Sequence, residues 1–142
     1  MALKNSSAKI IPENCVIVAM YGATAAKVAI NKIKLTTNQA CCNLEINKSI
    51  ALYRYVFHWL SSQYEKLKSL GQGSQSNINA GIIKDYPIPV PPLEEQERIV
   101  AILDRFDALC NDLTSGLPAE IEARKKQYEY YRDKLLTFKE AV

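Results

Sequence analysis

The stretch Tyr86-Pro87-Ile88-Pro89-Val90-Pro91-Pro92-Leu93-Glu94-Glu95-Gln96 holds four of the chain's six prolines. It rules out one continuous regular element through the middle of the protein. Proline disfavours helix at the residue before it, so Tyr86 to Val90 is expected to be extended. Pro92 then suits the first position of a helix, where a missing N–H costs nothing. Glu94, Glu95 and Glu97 fall in the first turns, where the helix dipole favours negative charge. The run divides the 142 residues in two. Residues 1–91 mix strand-like runs with turns, and residues 92–142 read as helix almost throughout. The expected fold class is α+β: a small mixed α/β head at 1–91, then long helices at 92–142 with a break near 115–118.

Charge follows the same division. Residues 1–92 carry ten Lys/Arg against four Asp/Glu, residues 93–117 two against six, and residues 118–142 six against five, within a net charge of +3. A basic head suits a polyanion such as nucleic acid. A solvated lysine surface is the alternative, and charge alone leaves both open. The apolar fraction of 48% and charged fraction of 23% are ordinary for a folded protein. No apolar run approaches the ~20 residues that span a bilayer. The start, Met1 to Ser7, has no apolar core of signal-peptide length, so a cytoplasmic protein is expected. Cys15, Cys41, Cys42 and Cys110 form no C-x-x-C pair, and His58 is the single histidine. The cysteines are expected to be reduced packing residues, with no metal site.

Within the head, Cys15 to Met20 is a β-branched apolar run expected to form a buried strand, with Lys27 to Ile30 and Ala40 to Ile46 as further strands. After an N-cap at Asn47-Lys48-Ser49, the positions Tyr53, Val56, Phe57, Leu60, Tyr64 and Leu67 line one face of a helix over 50–70. Gly71 is its expected stop. A polar loop follows through Asn77, and Asn79 is expected to cap a short helix ending at Lys84.

Within the tail, Ile99, Leu103, Phe106, Cys110 and Leu113 recur at spacings of 4, 3, 4 and 3, a heptad seam that Ile102 and Leu109 broaden. Ser115-Gly116-Leu117-Pro118 should break or kink the helix. A second seam runs through Leu117, Ile121, Arg124, Tyr128, Tyr131, Leu135 and Phe138. The two seams can fold on each other as a hairpin or run nearly collinear against a partner, and periodicity does not choose between these.

No phosphate-binding loop of the Walker kind, G-x-S-x-G elbow or H-E-x-x-H motif is present. A non-catalytic chain without a cofactor of its own is expected. The run Arg124 to Arg132 mixes basic and aromatic residues, as nucleic-acid surfaces do. Tyr128 and Tyr131 fall on the seam, however, which favours a coiled-coil helix with a charged outer face. Two polar loops in the head have small residues that let a backbone approach a ligand: Tyr21 to Lys27, and Gly73 to Asn77. Lys27 can neutralise a phosphate, and Asn or Gln can pair with adenine in the major groove. Plain turn chemistry accounts for the same residues equally well.

Several stretches resemble the specificity subunit of type I restriction–modification enzymes, in the C-terminal part of one of its two halves. They are Met20-Tyr21-Gly22-Ala23-Thr24 with Lys27, Thr37-Asn38-Gln39-Ala40, Gly73-Ser74-Gln75 with Asn77-Ile78, and Ile88 to Gln96 with Ile99-Val100 and Leu103-Asp104. The tail run Gln127 to Arg132 is similar as well. The resemblance implies that the head is part of a target recognition domain reading double-stranded DNA, and that the tail is a helical spacer. It also implies assembly with modification (methyltransferase) subunits, which bring the S-adenosylmethionine chemistry, and through them with the restriction subunit. The family usually has glycine where Ala26 stands, and a whole half-subunit would carry more recognition domain before residue 15. The DNA contacts so implied are Lys27 on phosphate and Thr24, Asn38, Gln39, Ser74, Gln75 and Asn77 on groove or backbone. The expected helical interface is Ile99, Leu103, Phe106, Leu113, Ile121, Tyr128, Tyr131 and Leu135, through which a homodimer can form. The alternative is a helical assembly module with little or no DNA binding.

Overall fold

The computed structural model describes residues 7–71, 73, 77–111 and 118–138. The expectations for Ser74, Gln75, Leu113 and Ser115-Gly116-Leu117 lie outside the described residues. The elements run β1 (Ile10–Ile11), β2 (Val16–Ala19), a 3-10 turn at Gly22–Thr24, β3 (Val28–Ile30), β4 (Leu35–Thr36), β5 (Cys41–Leu44), α1 (Tyr53–Ser62), α2 (Tyr64–Ser69), α3 (Ala80–Lys84), α4 (Leu93–Asn111) and α5 (Pro118–Leu135). The fold is α+β. The chain separates into two units, Met1–Ile88 and Pro89–Val142.

In the first unit, β2 is the centre of an antiparallel sheet ordered β3-β2-β5. Val16 pairs with Ile30 and Leu44, and Val18 with Val28 and Cys42. Val16 and Val18 are fully buried while Ile17 and Ala19 are half-buried, the two-residue alternation of a strand packed on one face. β1 and β4 form a separate antiparallel pair, with Ile10 opposite Thr36 and Ile11 opposite Leu35. At two residues each they are too short to leave a periodic signal, and the sequence pattern missed them. Buried Asn31 joins the turns at that end. Its Oδ1 accepts from Cys15 N at 2.8 Å, and its Nδ2 donates to Pro12 O at 2.6 Å and to Ile33 O at 2.9 Å.

The single helix expected over 50–70 is two helices. Gln63 interrupts it at φ −94°, ψ 10°, its N–H shared between the carbonyls of Trp59 and Leu60. Ser62 Oγ also donates to Trp59 O at 2.7 Å. A serine bonding back onto the preceding turn competes with the helix ladder and bends it. The start is later than expected too. Asn47 Oδ1 accepts from Ser49 N and Oγ, closing a local turn, and α1 begins only at Tyr53. α2 ends with Leu70 as its C-cap, so Gly71 follows directly after it as the expected stop. Asn79 does cap α3, accepting from Ile82 N at 2.9 Å. Tyr86 Oη donates to Gln63 Oε1 at 2.9 Å, tying the start of the proline run to the helix break.

In the second unit, α4 starts as the proline and glutamates predict. The amides of Glu95 and Gln96 donate to Pro92 O, and Gln96 Nε2 donates to Pro91 O at 2.7 Å. Gln96, Ile99 and Leu103 are its fully buried residues. The rings of Phe106 and Tyr131 stack with centroids 5.8 Å apart and planes at 12°, and Tyr128 lies 6.4 Å from Phe106. In one continuous helix, residues 106 and 131 would stand ~37 Å apart at ~1.5 Å per residue. α5 therefore folds back along α4 as a hairpin, which settles the choice that periodicity left open. The seam closes only partly. Phe106, Ile121, Tyr128 and Leu135 are half-buried, whereas Leu109 and Tyr131 are exposed by 52% and 41%. A straight α-helix drifts ~20° per heptad against a 3.5-residue repeat, so a strict heptad in a short hairpin leaves flanking positions such as Leu109 in solvent.

Candidate nucleic-acid interface

The loops that carry the expected contacts meet at one end of the three-stranded sheet, where β2 ends and β3 and β5 begin. Met20 is the junction. Its N–H donates to Ala40 O at 2.8 Å, and its carbonyl accepts from Ile78 N at 2.9 Å. The segment before β5 and the segment after residue 77 are thus both pinned to the end of β2.

Past Met20 the chain turns sharply. Gly22 has φ +70°, open to glycine without a steric penalty. Ala25 N donates to Gly22 O and Lys27 N to Thr24 O, closing the turn. Ala26 N then donates to Ala19 O at 2.8 Å, and Ala19 N to Lys27 O at 2.9 Å. Two residues thus oppose one, which is bulge-like pairing that re-aims the strand. Ala26, fully buried, has φ +69°. The alanine keeps the left-handed backbone that glycine would adopt freely, at a cost of ~1–2 kcal/mol. Thr24 and Lys27 are exposed on this loop. Thr24 Oγ1 donates to Tyr21 O at 3.4 Å, and the Lys27 amine has no partner among the described residues.

The second loop is a tight turn. Cys41 N donates to Asn38 O, and Ala40 N donates to Asn38 Oδ1 at 3.0 Å. Exposed Gln39 stands at the tip, its backbone fixed on both sides. Asn77 closes the set, its Oδ1 accepting from Gly22 N at 3.0 Å. The structure thus brings Thr24, Lys27, Asn38, Gln39 and Asn77 to one end of the sheet.

Asn38 and Gln39 also line a cleft of about 830 Å³, together with Thr37, Lys9, Lys84, Cys42 and Glu45. Asn43 spans part of it, its Nδ2 donating to Thr37 Oγ1 at 2.6 Å. Burial pushes the Cys42 thiol up from its ordinary value, opposed by the nearby Lys84 ammonium. Burial, and then Glu45, raise Cys15. Both thiols therefore stay protonated and pack as small apolar groups. Sequence reasoning missed Lys9 and Lys84, which sit in no motif. Among the described residues, no cluster of His, Cys, Asp and Glu could hold a metal ion, and no helix is long and apolar enough to cross a membrane.

A family profile described as type I restriction modification DNA specificity domain matches residues 1–123. The chain belongs to this family. It is 40% identical over 144 aligned residues to the type I restriction enzyme EcoR124I/EcoR124II specificity subunit of Escherichia coli, covering 96% of this chain and 35% of that protein. The S subunit of the type I restriction–modification system of M. genitalium shares the fold at TM-score 0.63 and 22% identity, over 75% of this chain and 29% of that one. A chain solved in work on complex assembly and conformational transition of the type I system superposes at TM-score 0.65 and 21% identity, over 90% of this chain and 32% of that one. The chain spans about a third of the length of the E. coli relative.

Proposed function

We propose that the chain is a DNA sequence-specificity element of a type I restriction–modification system, working in the cytoplasm. Residues 1–91 serve as part of a target recognition domain and residues 92–142 as a helical assembly segment. The observation that carries the reading is the convergence of the 21–27 and 37–40 loops and Asn77 on one end of the sheet, in a member of this family. Strand ends are a stiff platform, and loops held on a rigid scaffold are where binding residues concentrate. Lys27 neutralises a phosphate of double-stranded DNA. Thr24, Asn38, Gln39, Ser74 and Gln75 contact groove or backbone. Lys9 and Lys84 add positive charge beside Asn38 and Gln39.

The α4–α5 hairpin assembles with modification subunits, and through them with the restriction subunit. Those partners hold S-adenosylmethionine, so methyl transfer needs no catalytic group from this chain. The exposed tail residues Leu109, Tyr130 and Tyr131 also suit a second copy of the hairpin, and a two-fold pair would address a palindromic bipartite site.

A salt titration of DNA binding tests the reading. With several phosphate contacts, log affinity falls steeply and linearly with log salt. Absence of binding at low salt, even with the modification subunit present, would overturn the DNA-reading role and leave an assembly module.

A further inference from the structure

Asn77 stands among the residues expected to touch DNA, yet its acceptor is turned into the protein. The side chain is half-buried, and its Oδ1 accepts from Gly22 N at 3.0 Å across 55 residues of sequence. The next residue, Ile78, is 2% exposed and donates its N–H to Met20 O at 2.9 Å. Asn77 is therefore clamped on its C-terminal side by backbone pairing, while its carbonyl oxygen holds the first amide of the Gly22–Thr24 turn. That turn decides where Lys27 emerges, because Ala26 N and Lys27 O both pair with Ala19 directly after it. Gly22 sits at φ +70°, with nothing within 4 Å of where its Cβ would be, and its amide has the Asn77 oxygen as a partner at 3.0 Å.

We infer that Asn77 is a positioning residue: it acts on DNA binding through Gly22, by setting the turn that presents Thr24 and Lys27. The inference rests on the DNA-binding reading. The role needs only an acceptor at Oδ1. A direct contact would use the Nδ2 donor instead, so two substitutions separate the two roles. Asn77→Asp keeps the acceptor, loses the donor and adds a negative charge, and a charged acceptor strengthens a bond to a backbone N–H. Asn77→Leu keeps the approximate size and loses the acceptor.

The experiment measures DNA affinity against salt for the full chain with its modification subunit, together with amide hydrogen exchange at Gly22. For a positioning residue, Asn77→Asp retains more affinity than Asn77→Leu and keeps Gly22 protected. Asn77→Leu exchanges Gly22 at least about tenfold faster and loses about tenfold in affinity, roughly the 1.4 kcal/mol of one hydrogen bond. Lys27→Ala weakens binding and lowers the salt slope by about 1. Adding Asn77→Leu to Lys27→Ala then costs little more, because both act through one loop. A direct DNA contact gives the reverse order, with the aspartate weaker than the leucine because a carboxylate repels phosphate. That order, or unchanged Gly22 exchange in Asn77→Leu, overturns the inference while leaving DNA binding intact. No binding by the unsubstituted chain overturns both.

Discussion

Polar side chains are used differently in the two units. In Met1–Ile88 they bond to distant backbone. Asn31 joins three main-chain groups and Asn77 reaches Gly22, while Asn38 closes its own turn. In Pro89–Val142, local ion pairs form instead: Arg98 with Glu95 and Lys126 with Glu122 on the surface, and half-buried Arg132 with exposed Asp133. Exposed ion pairs contribute little, because water screens them and ordering the side chains costs entropy. The head thus spends its amides on shape, which a reading surface requires. The tail depends on a short buried stripe and leaves aromatic rings in solvent. Cations lie over two tail rings, Arg132 over half-buried Tyr128 and Lys134 over exposed Tyr130.

The largest expected effect lies in the tail's buried stripe. Leu103→Ala removes a fully buried side chain and is expected to lower stability by about 3 kcal/mol, read from urea unfolding. A loss below about 1 kcal/mol would mean that the tail is not held by this stripe. In the head, Asn31→Leu strands Cys15 N and two carbonyls without partners. About 2 kcal/mol of destabilisation is expected by the same measurement, and no change would contradict the distant-backbone account. Tyr86→Phe deletes one hydroxyl bond to Gln63, for about 1 kcal/mol. Tyr130→Ala, on the exposed face, should leave unfolding within about 0.5 kcal/mol while reducing any self-association seen by light scattering.

The smallest effect is electrostatic. The Arg98 side-chain hydrogen bond, partly opposed by burial, holds the Glu95 carboxyl below its ordinary value of 4.5. A depressed folded value means the contribution is present above the ordinary carboxylate range and fades as pH falls through the depressed one. Glu95→Gln should flatten that acid-side slope of melting temperature, and added salt should flatten it in the parent chain. A slope that survives both would assign the acid sensitivity to another group.

The legible parts of the fold were those with a local cause. Asn79 capped α3 as read, and α4 opened one residue after Pro92, whose carbonyl takes its first bonds, because a cap or a fixed φ acts within one turn. The β-branched run at 16–19 formed the central strand because alternating burial leaves a two-residue period. The illegible parts had weak or competing local signals. The apolar stripe from Tyr53 to Leu67 keeps helical spacing across Gln63, and only the Ser62 hydroxyl on Trp59 O explains the interruption. β1 and β4 were too brief to show a period. At the candidate interface, the loop motifs named Thr24, Lys27, Asn38, Gln39 and Asn77, whereas Lys9 and Lys84 joined the cleft through folding alone.

By itself the sequence determined the division at the proline run, the central strand, the helical tail and the family, since these rest on local spacing and residue type. Tertiary structure alone decided that α5 returns along α4, that Ala26 holds a left-handed backbone, and that Asn77 faces Gly22 rather than solvent. Each of these depends on residues brought together from separate parts of the chain. A hydrogen bond closed over 55 residues, or a ring stacked from one helix onto the next, has no period and no local propensity to announce it.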